Sequence, residues 1–433
     1  MSILRVERLT ELSDERRAEI LNRSMTDVSD VYSEMRAVVE DIGRRGDIVS
    51  VEHYRKYKSD ITAADITATE AEVRAAYEQV PDEVIDGLKL AAANIEKFHR
   101  AQLERDMWSI EISPGIIAGR MSTAVEAAGC YVPGGTAAYP SSVLMNVIPA
   151  KVAGVELVIV CTPPKTGMVA NPATLVAADI AGADAVYKIG GPWAIGSMAF
   201  GTKTVAPVDK IVGPGNKYVT AAKLAVFGKV DIDSPAGPSE VLILADDTPE
   251  ARLVAVDLLA QAEHDPDAAA ALVTTSAALA EAVAEDLDRM LNEVERRDAI
   301  QSALRDNSAL LVADTMEDAL AFTNEYAAEH LQVLTADPMA DLPRIRHAGS
   351  IFLGRYSPVP CGDYATGTNH VLPTGRCARM FSGLSLDDFV KRPTFQYLTK
   401  DGLASLRKTV TDLARAEGLP MHARAVEERF AER

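Results

Sequence analysis

Two doubly wound (Rossmann-like) α/β domains, flanked by helical N- and C-terminal segments, are the fold class this sequence predicts. Three observations predict it. From about Tyr131, short apolar runs alternate with helical stretches, the pattern of a mostly parallel sheet with right-handed crossovers. The alternation starts again near Ser239, so there are two series and not one. Before Tyr131 and after about Phe381 the texture is helical.

Taken in order, "DVYSEMRAVVEDIGRRG" and "VPDEVIDGLKLAAANIEKFHRAQLE" carry apolar residues at helical spacing. "VELVIVCTPP" reads as a buried strand, "NPATLVAADIAGA" as a helix, "DAVYKIGG" as a strand, "PWAIGSMAFG" as a helix and "VDKIVGPGN" as a strand. The second series opens with the strand "SEVLILAD", continues through the helix "TPEARLVAVDLLAQAE" and reaches the strand "AAALVTTS". Thr248 followed by Pro249 supplies that helix with a cap and a pre-set first turn. "SALLVAD", "LQVLTAD" and "SIFLGR" are three more strand candidates, and the chain ends in "LRKTVTDLARAEGLPMHARAVEERFAER", read as helical. The domains expected are an N-terminal helical segment (1–30), a first α/β domain built from 31–130 and 239–380, a second α/β domain (131–238), and a helical tail (381–433).

Composition narrows the function class. A chain of 433 residues, 48% of them apolar, has room for two or three domains with sizeable cores. No run of roughly 18 apolar residues appears, so no membrane span is expected. The net charge of -19 argues against a nucleic-acid partner, because phosphate binding needs a basic surface. The charged opening "MSILRVERLTELSDERRAEI" does not resemble a secretory signal. Cys130, Cys161, Cys361 and Cys377 are scattered without a CxxC pair, which fits reduced thiols in a cytoplasmic protein.

Four of the seven histidines sit among other reactive side chains: His264 in "QAEHDPD", His330 in "AAEHLQV", His370 in "CGDYATGTNHVLPT" and His422 in "EGLPMHARA". Each alone is more often a core or capping residue. Gln261 and His264 are three apart, so on a helix they share a face and reach one point together. With Glu329, Asp363 and Glu417, the group matches a metal site beside an acid–base pair. Imidazole nitrogen with carboxylate or amide oxygen is a zinc-type donor set, and a catalytic zinc keeps room for substrate. Glu329 and His330 are neighbours, and on a helix their side chains would diverge by about 100°. The glycine-rich turns "YVPGGTAAYPSS", "IGGPWAIGSMAFG" and "VGPGNKYV" allow close backbone approach to a ligand, yet none is a full G-x-G-x-x-G.

Together these motifs resemble the histidinol dehydrogenase family, over nearly the whole chain. "YVPGGTA", "VDKIVGPGNKYVT", "SPAGPSEVLILAD", "LLAQAEHDPD", "AAEHLQV", "GDYATGTNHVLPT" and "EGLPMHARAV" stand in the family's order. The resemblance implies a zinc- and NAD-dependent oxidation of L-histidinol through L-histidinaldehyde to L-histidine, in a homodimer. It implies zinc (Zn2+) ligation by Gln261, His264, Asp363 and His422, with Glu329 and His330 as the acid–base pair. Ser239, His330, Asp363, Glu417 and the metal ligands would hold substrate, with His370 near the same pocket. Tyr131 and Asn216 fall where the family binds NAD; a third such position, usually glutamine, is here Trp193. Each site would take Glu417 and His422 from the other subunit. Two alternatives stand beside this reading: a relative oxidising another chelating alcohol such as a sulfonated diol, and a non-catalytic zinc-binding structural protein. The carboxylate of Glu417 disfavours a sulfonate, and a dead enzyme is expected to lose an acid–base residue.

Overall fold

The computed structural model describes residues 2–23, 28–134, 138–234 and 237–431. Residues 135–137 of "YVPGGTA" and 235–236 of "SPAGPSE" therefore lie outside the described residues. The chain divides into two compact units, Met1–Gln102 with Glu126–Phe389, and Leu103–Val125 with Val390–Arg433.

The first unit contains both predicted α/β sheets. One has six parallel strands in the spatial order Val6–Arg8, Ala309–Val312, Ala269–Thr274, Glu240–Ala245, His330–Leu334 and Ser350–Leu353. Its order reverses between Glu240–Ala245 and His330–Leu334, where the chain winds first to one side and then to the other. The segment "EVLILA" is apolar without alternation because both faces are covered. Val241 and Ile243 join one apolar cluster, while Leu242 and Leu244 join the cluster on the opposite face. The second sheet has five parallel strands, ordered Ala185–Tyr187, Leu157–Cys161, Ala127–Tyr131, Lys210–Val212 and Asp231–Ile232. Its reversal lies between Ala127–Tyr131 and Lys210–Val212.

Several expectations are corrected by the packing. The segment 1–30 is not simply helical: Val6–Arg8 is an edge strand paired with Ala309–Val312, and helix Asp14–Leu21 follows it. A three-residue strand reading Val-Glu-Arg has no apolar run to announce it. The expected grouping of 31–130 with 239–380 does not hold for residues 31–66: Val31, Met35, Val39 and Ile66 share a core with Ile195, Met198 and Val219 of the five-stranded half. An amphipathic stripe says that a helix is buried, and not against which sheet. Strand Ala127–Tyr131 likewise opens that sheet ahead of the expected boundary at 131. The cap at Thr248 does not form either. Helix Ala251–Ala262 starts after Glu250, and the Thr248 hydroxyl donates to Asp246 at 2.5 Å instead.

The second unit is built on three antiparallel strands, Met107–Ser113, Ile116–Met121 and Thr394–Leu398. A short ladder pairs Val390–Lys391 with Thr123–Ala124, and helices Lys400–Ala416 and Pro420–Glu427 complete it. The tail 381–433 was expected to be helical throughout; its first part is strand. Among the described residues no helix is long and apolar enough to cross a membrane.

Candidate active site

Parallel α/β sheets ordinarily bind ligands beyond the carboxyl ends of their strands, at the point where strand order reverses. The six-stranded sheet does the opposite. Ser239 and Glu240 stand where strand Glu240–Ala245 begins, and Glu329 and His330 stand where strand His330–Leu334 begins. The acid–base candidates thus occupy the amino edge of the two strands flanking the reversal. Helix Ala251–Ala262 runs back from the far edge, so its C-terminal end carries Gln261 and then His264 to this same side.

Glu329 and His330 are not on a helix. Helix Met316–Tyr326 stops at Ala327, which holds a left-handed φ of 51°, and the chain then enters the strand at His330. The Glu329 carboxylate is fixed through Oε2, which accepts from Ser239 Oγ at 2.6 Å and from the Glu240 N–H at 2.8 Å. His330 Nδ1 lies 3.1 Å from the Glu240 carbonyl and 3.4 Å from Glu329 Oε2. A carbonyl only accepts, so Nδ1 carries a proton in either charge state, and it is the neutral form that presents a lone pair at Nε2. That Nε2 is buried, has no hydrogen-bond partner, and points toward Asp363 Oδ1 at 3.6 Å.

Electrostatics tie the group together. Burial pushes the His330 imidazole toward neutrality, but the Glu329 and Asp363 carboxylates outweigh it and hold its pKa well above the usual histidine value. Burial raises the Asp363 carboxyl, yet the neighbouring His330, His370 and His264 bring it below the ordinary aspartate range. His370 is held at both ring nitrogens, Nδ1 by the Asp363 carbonyl at 2.9 Å and Nε2 by Ser142 Oγ at 3.1 Å. Through Ser142, on helix Pro140–Ala153, His370 links this edge to the five-stranded half.

The expected ligand residues are only partly gathered. Gln261 is 2% exposed and its amide nitrogen has no partner, whereas His264 is exposed beyond the helix end. The backbone of His264 still donates to the Gln261 carbonyl at 3.3 Å. Glu417 and His422 belong to the other unit and are both exposed. Among the described residues no three His, Cys, Asp or Glu side chains form a ready metal cluster.

The expected cofactor residues lie at the carboxyl ends of the five-stranded sheet, where the general rule places ligands. Tyr131 ends its strand, and its hydroxyl accepts from the Gly191 N–H at 3.2 Å. Asn216 caps helix Lys217–Val226 with Oδ1, accepting from Tyr218 and Val219. Between them Gly213 has φ +117°, and a Cβ there would stand 2.0 Å from the Tyr131 carbonyl oxygen, so only glycine fits. Trp193 does not sit open on its turn; its ring stacks on His53 at 3.4 Å between centroids.

Sequence reasoning missed Ser142, Glu240 and Arg23, all buried around this site. Glu240 had a signal, an acidic residue opening an otherwise apolar strand. Arg23 and Ser142 had none, because their partners are 217 and 228 residues away.

The family model described as histidinol dehydrogenase matches residues 21–430. A histidinol dehydrogenase of Methanosarcina barkeri is 48% identical over 430 residues, 99% of each chain. One of Natronomonas pharaonis is 49% identical over 428 residues, covering 99% of this chain and all of that one. The crystal structure of histidinol dehydrogenase from Elizabethkingia anophelis superposes with a TM-score of 0.93 at 39% identity, over 99% of this chain and 98% of that one. With residues 21–430 matched by the family model and relatives 48% and 49% identical over nearly the whole chain, this chain belongs to the histidinol dehydrogenase family.

Proposed function

We propose that the chain oxidises L-histidinol through L-histidinaldehyde to L-histidine at the amino edge of the six-stranded sheet, with one zinc ion per site and sites shared between two subunits. The enzyme class, an NAD-dependent oxidoreductase of histidine biosynthesis, follows from the family. The observation that carries the proposal is the convergence of Glu329, His330 and Asp363, with His330 Nε2 buried, facing Asp363 and engaged by no hydrogen bond.

Losing hydride from an alcohol requires a base for the hydroxyl proton, and the neutral form of His330 offers Nε2 as that base. The imidazolium so formed is stabilised by Glu329 on one side and Asp363 on the other. The second oxidation requires water to add to the aldehyde. Glu329, held by Ser239 and the Glu240 N–H, is a fixed carboxylate suited to removing a proton from that water. NAD supplies the hydride acceptor, with Tyr131 and Asn216 forming its side of the site.

The donor chemistry fits zinc. Gln261 is a buried amide whose nitrogen finds no acceptor among the described residues and whose oxygen is the atom able to ligate an ion, and Asp363 and His264, close enough to interact, add a carboxylate and an imidazole. Gln261, His264 and Asp363, joined by His422 from the partner subunit, would hold the ion, which supplies a Lewis acid to fix the substrate's amine and imidazole nitrogens. Glu417, also from the partner, would bind the substrate's cationic end.

The test is NADH formation on purified protein, with histidinol and separately with a sulfonated diol, before and after chelation. Turnover of histidinol alone, abolished by chelation and restored by added zinc, is the expected result. Activity in metal-free protein overturns the zinc assignment, and turnover of the diol instead overturns the substrate.

A further inference from the structure

We propose that the buried Arg23–Glu240 ion pair is a positioning device for the acid–base pair, fixing where the Glu329 carboxylate and the His330 ring stand. It rests on the reading of Glu329 and His330 given above. Glu240 meets the two residues at three points. Its N–H donates to Glu329 Oε2 at 2.8 Å, its Oε1 accepts from the Glu329 N–H at 3.2 Å, and its carbonyl accepts from His330 Nδ1 at 3.1 Å. Both the side chain and the backbone of one residue therefore set the two reacting groups.

Arg23 fixes Glu240 in turn. Its guanidinium donates to Glu240 Oε1 at 2.8 Å, to the Tyr326 carbonyl at 3.0 Å and to the Leu21 carbonyl at 2.9 Å. It also lies over the Tyr326 ring, 3.2 Å from the centroid. The contact with Tyr326 matters because only Ala327 and Ala328 separate that helix end from Glu329, and Ala327 holds the left-handed turn. One planar cation thus ties the start of one strand to the chain entering the next. The charged side chains are 1% and 0% exposed.

Stability alone is a poor reason for such a pair. Removing two charges from water costs about what their attraction returns, and apolar side chains of equal volume often serve as well. Arginine's fork offers what apolar packing cannot, several directed bonds from one rigid group. Displacing a catalytic group by about 1 Å costs on the order of 10²-fold in rate. The Arg23 and Glu240 side chains bond to neither the Glu329 carboxylate nor the His330 ring, so their effect passes through the placing of Glu329 and His330.

The experiment uses the full chain with zinc and saturating NAD, and measures kcat and KM for histidinol. Glu240→Ala is expected to lower kcat about 10- to 100-fold, with KM for histidinol and NAD within about threefold. Glu240→Gln, which keeps an acceptor at the Oε1 position, is expected to recover most of that loss. In a Glu329→Gln background, Glu240→Ala should cost less than about threefold more, because of the two reacting residues the Glu240 side chain meets only Glu329, whose carboxylate is already gone, while the backbone carbonyl on His330 stays. If Glu240→Ala does not fold, Arg23→Lys replaces it; it keeps the charge, loses the fork, and should show the same kcat-only loss at about 3- to 10-fold. A raised KM with unchanged kcat, or an undiminished loss in the Glu329→Gln background, overturns the positioning role. Wild-type turnover by Glu329→Gln alone would instead overturn the acid–base reading, a separate result.

Discussion

Both ring nitrogens of His370 are already engaged, with the Asp363 carbonyl and Ser142 Oγ, so His370 has no lone pair to offer an ion. His264, exposed beyond its helix, has its ring available. His264→Asn should therefore lose bound zinc on dialysis while His370→Asn keeps it, as metal analysis of the two proteins will read; equal zinc in both refutes the division. Glu329 and His330 divide by step. Glu329→Gln should impair the oxidation of histidinol to histidine but leave reduction of supplied histidinaldehyde comparatively intact. His330→Asn should cost the alcohol step about 10²–10⁴-fold, the usual scale for a lost general base. Equal damage to both half-reactions by Glu329→Gln would give it a role in both. The sequence made these residues legible because imidazole and carboxylate chemistry is rare enough to mark its own segments. It concealed Glu240 and Arg23, whose meaning comes from burial against groups far along the chain.

Elements were legible where burial is symmetrical. "VLILA" and "LVIVC" read as strands because both faces are covered, and a continuous apolar run of that length suits little else. The strands of the second unit were not legible: Met107–Ser113 is exposed along most of its length, so no hydrophobic contrast marks it. Helix-to-sheet assignment failed for Ser29–Arg45, whose stripe fits either core. Helix Asp47–Tyr54 follows it, and there the half-buried ring of His53 stacks on Trp193. Burial, with Lys56 nearby, pushes the His53 pKa down to about 4. The unfolded chain would titrate this ring near 6.5. Between those values the unfolded state binds the extra proton, so the contribution to stability is complete above about pH 6.5 and lost as pH falls toward about 4. His53→Phe keeps an aromatic ring on Trp193 and removes the titration. Its Tm should fall less than wild type's from pH 7 to pH 4.5, by a margin that solvent screening of a half-exposed ring keeps modest. Parallel Tm curves would mean that His53 does not contribute.

At the scale of the whole molecule, the second unit exposes Met107, Trp108, Ile110 and Ile112 along one strand, at 43% or more each. A contiguous apolar strand of this kind on a lone chain is a surface for another chain. The same unit carries Glu417 and His422, exposed beside the turn between helices Lys400–Ala416 and Pro420–Glu427. A dimer in which each second unit serves the partner's site accounts for both facts, and mixing tests it. Glu329→Gln and His422→Ala are unfolded together in equal amounts and refolded. If the tail crosses, each mixed dimer has one site with both defects and one with neither. Random pairing makes roughly half the dimers mixed, so activity should return to about a quarter of wild type. If the tail serves its own chain, every site keeps one defect and no activity returns. Mixed dimers that form, as tags on the two variants will reveal, yet remain inactive would exclude a shared site.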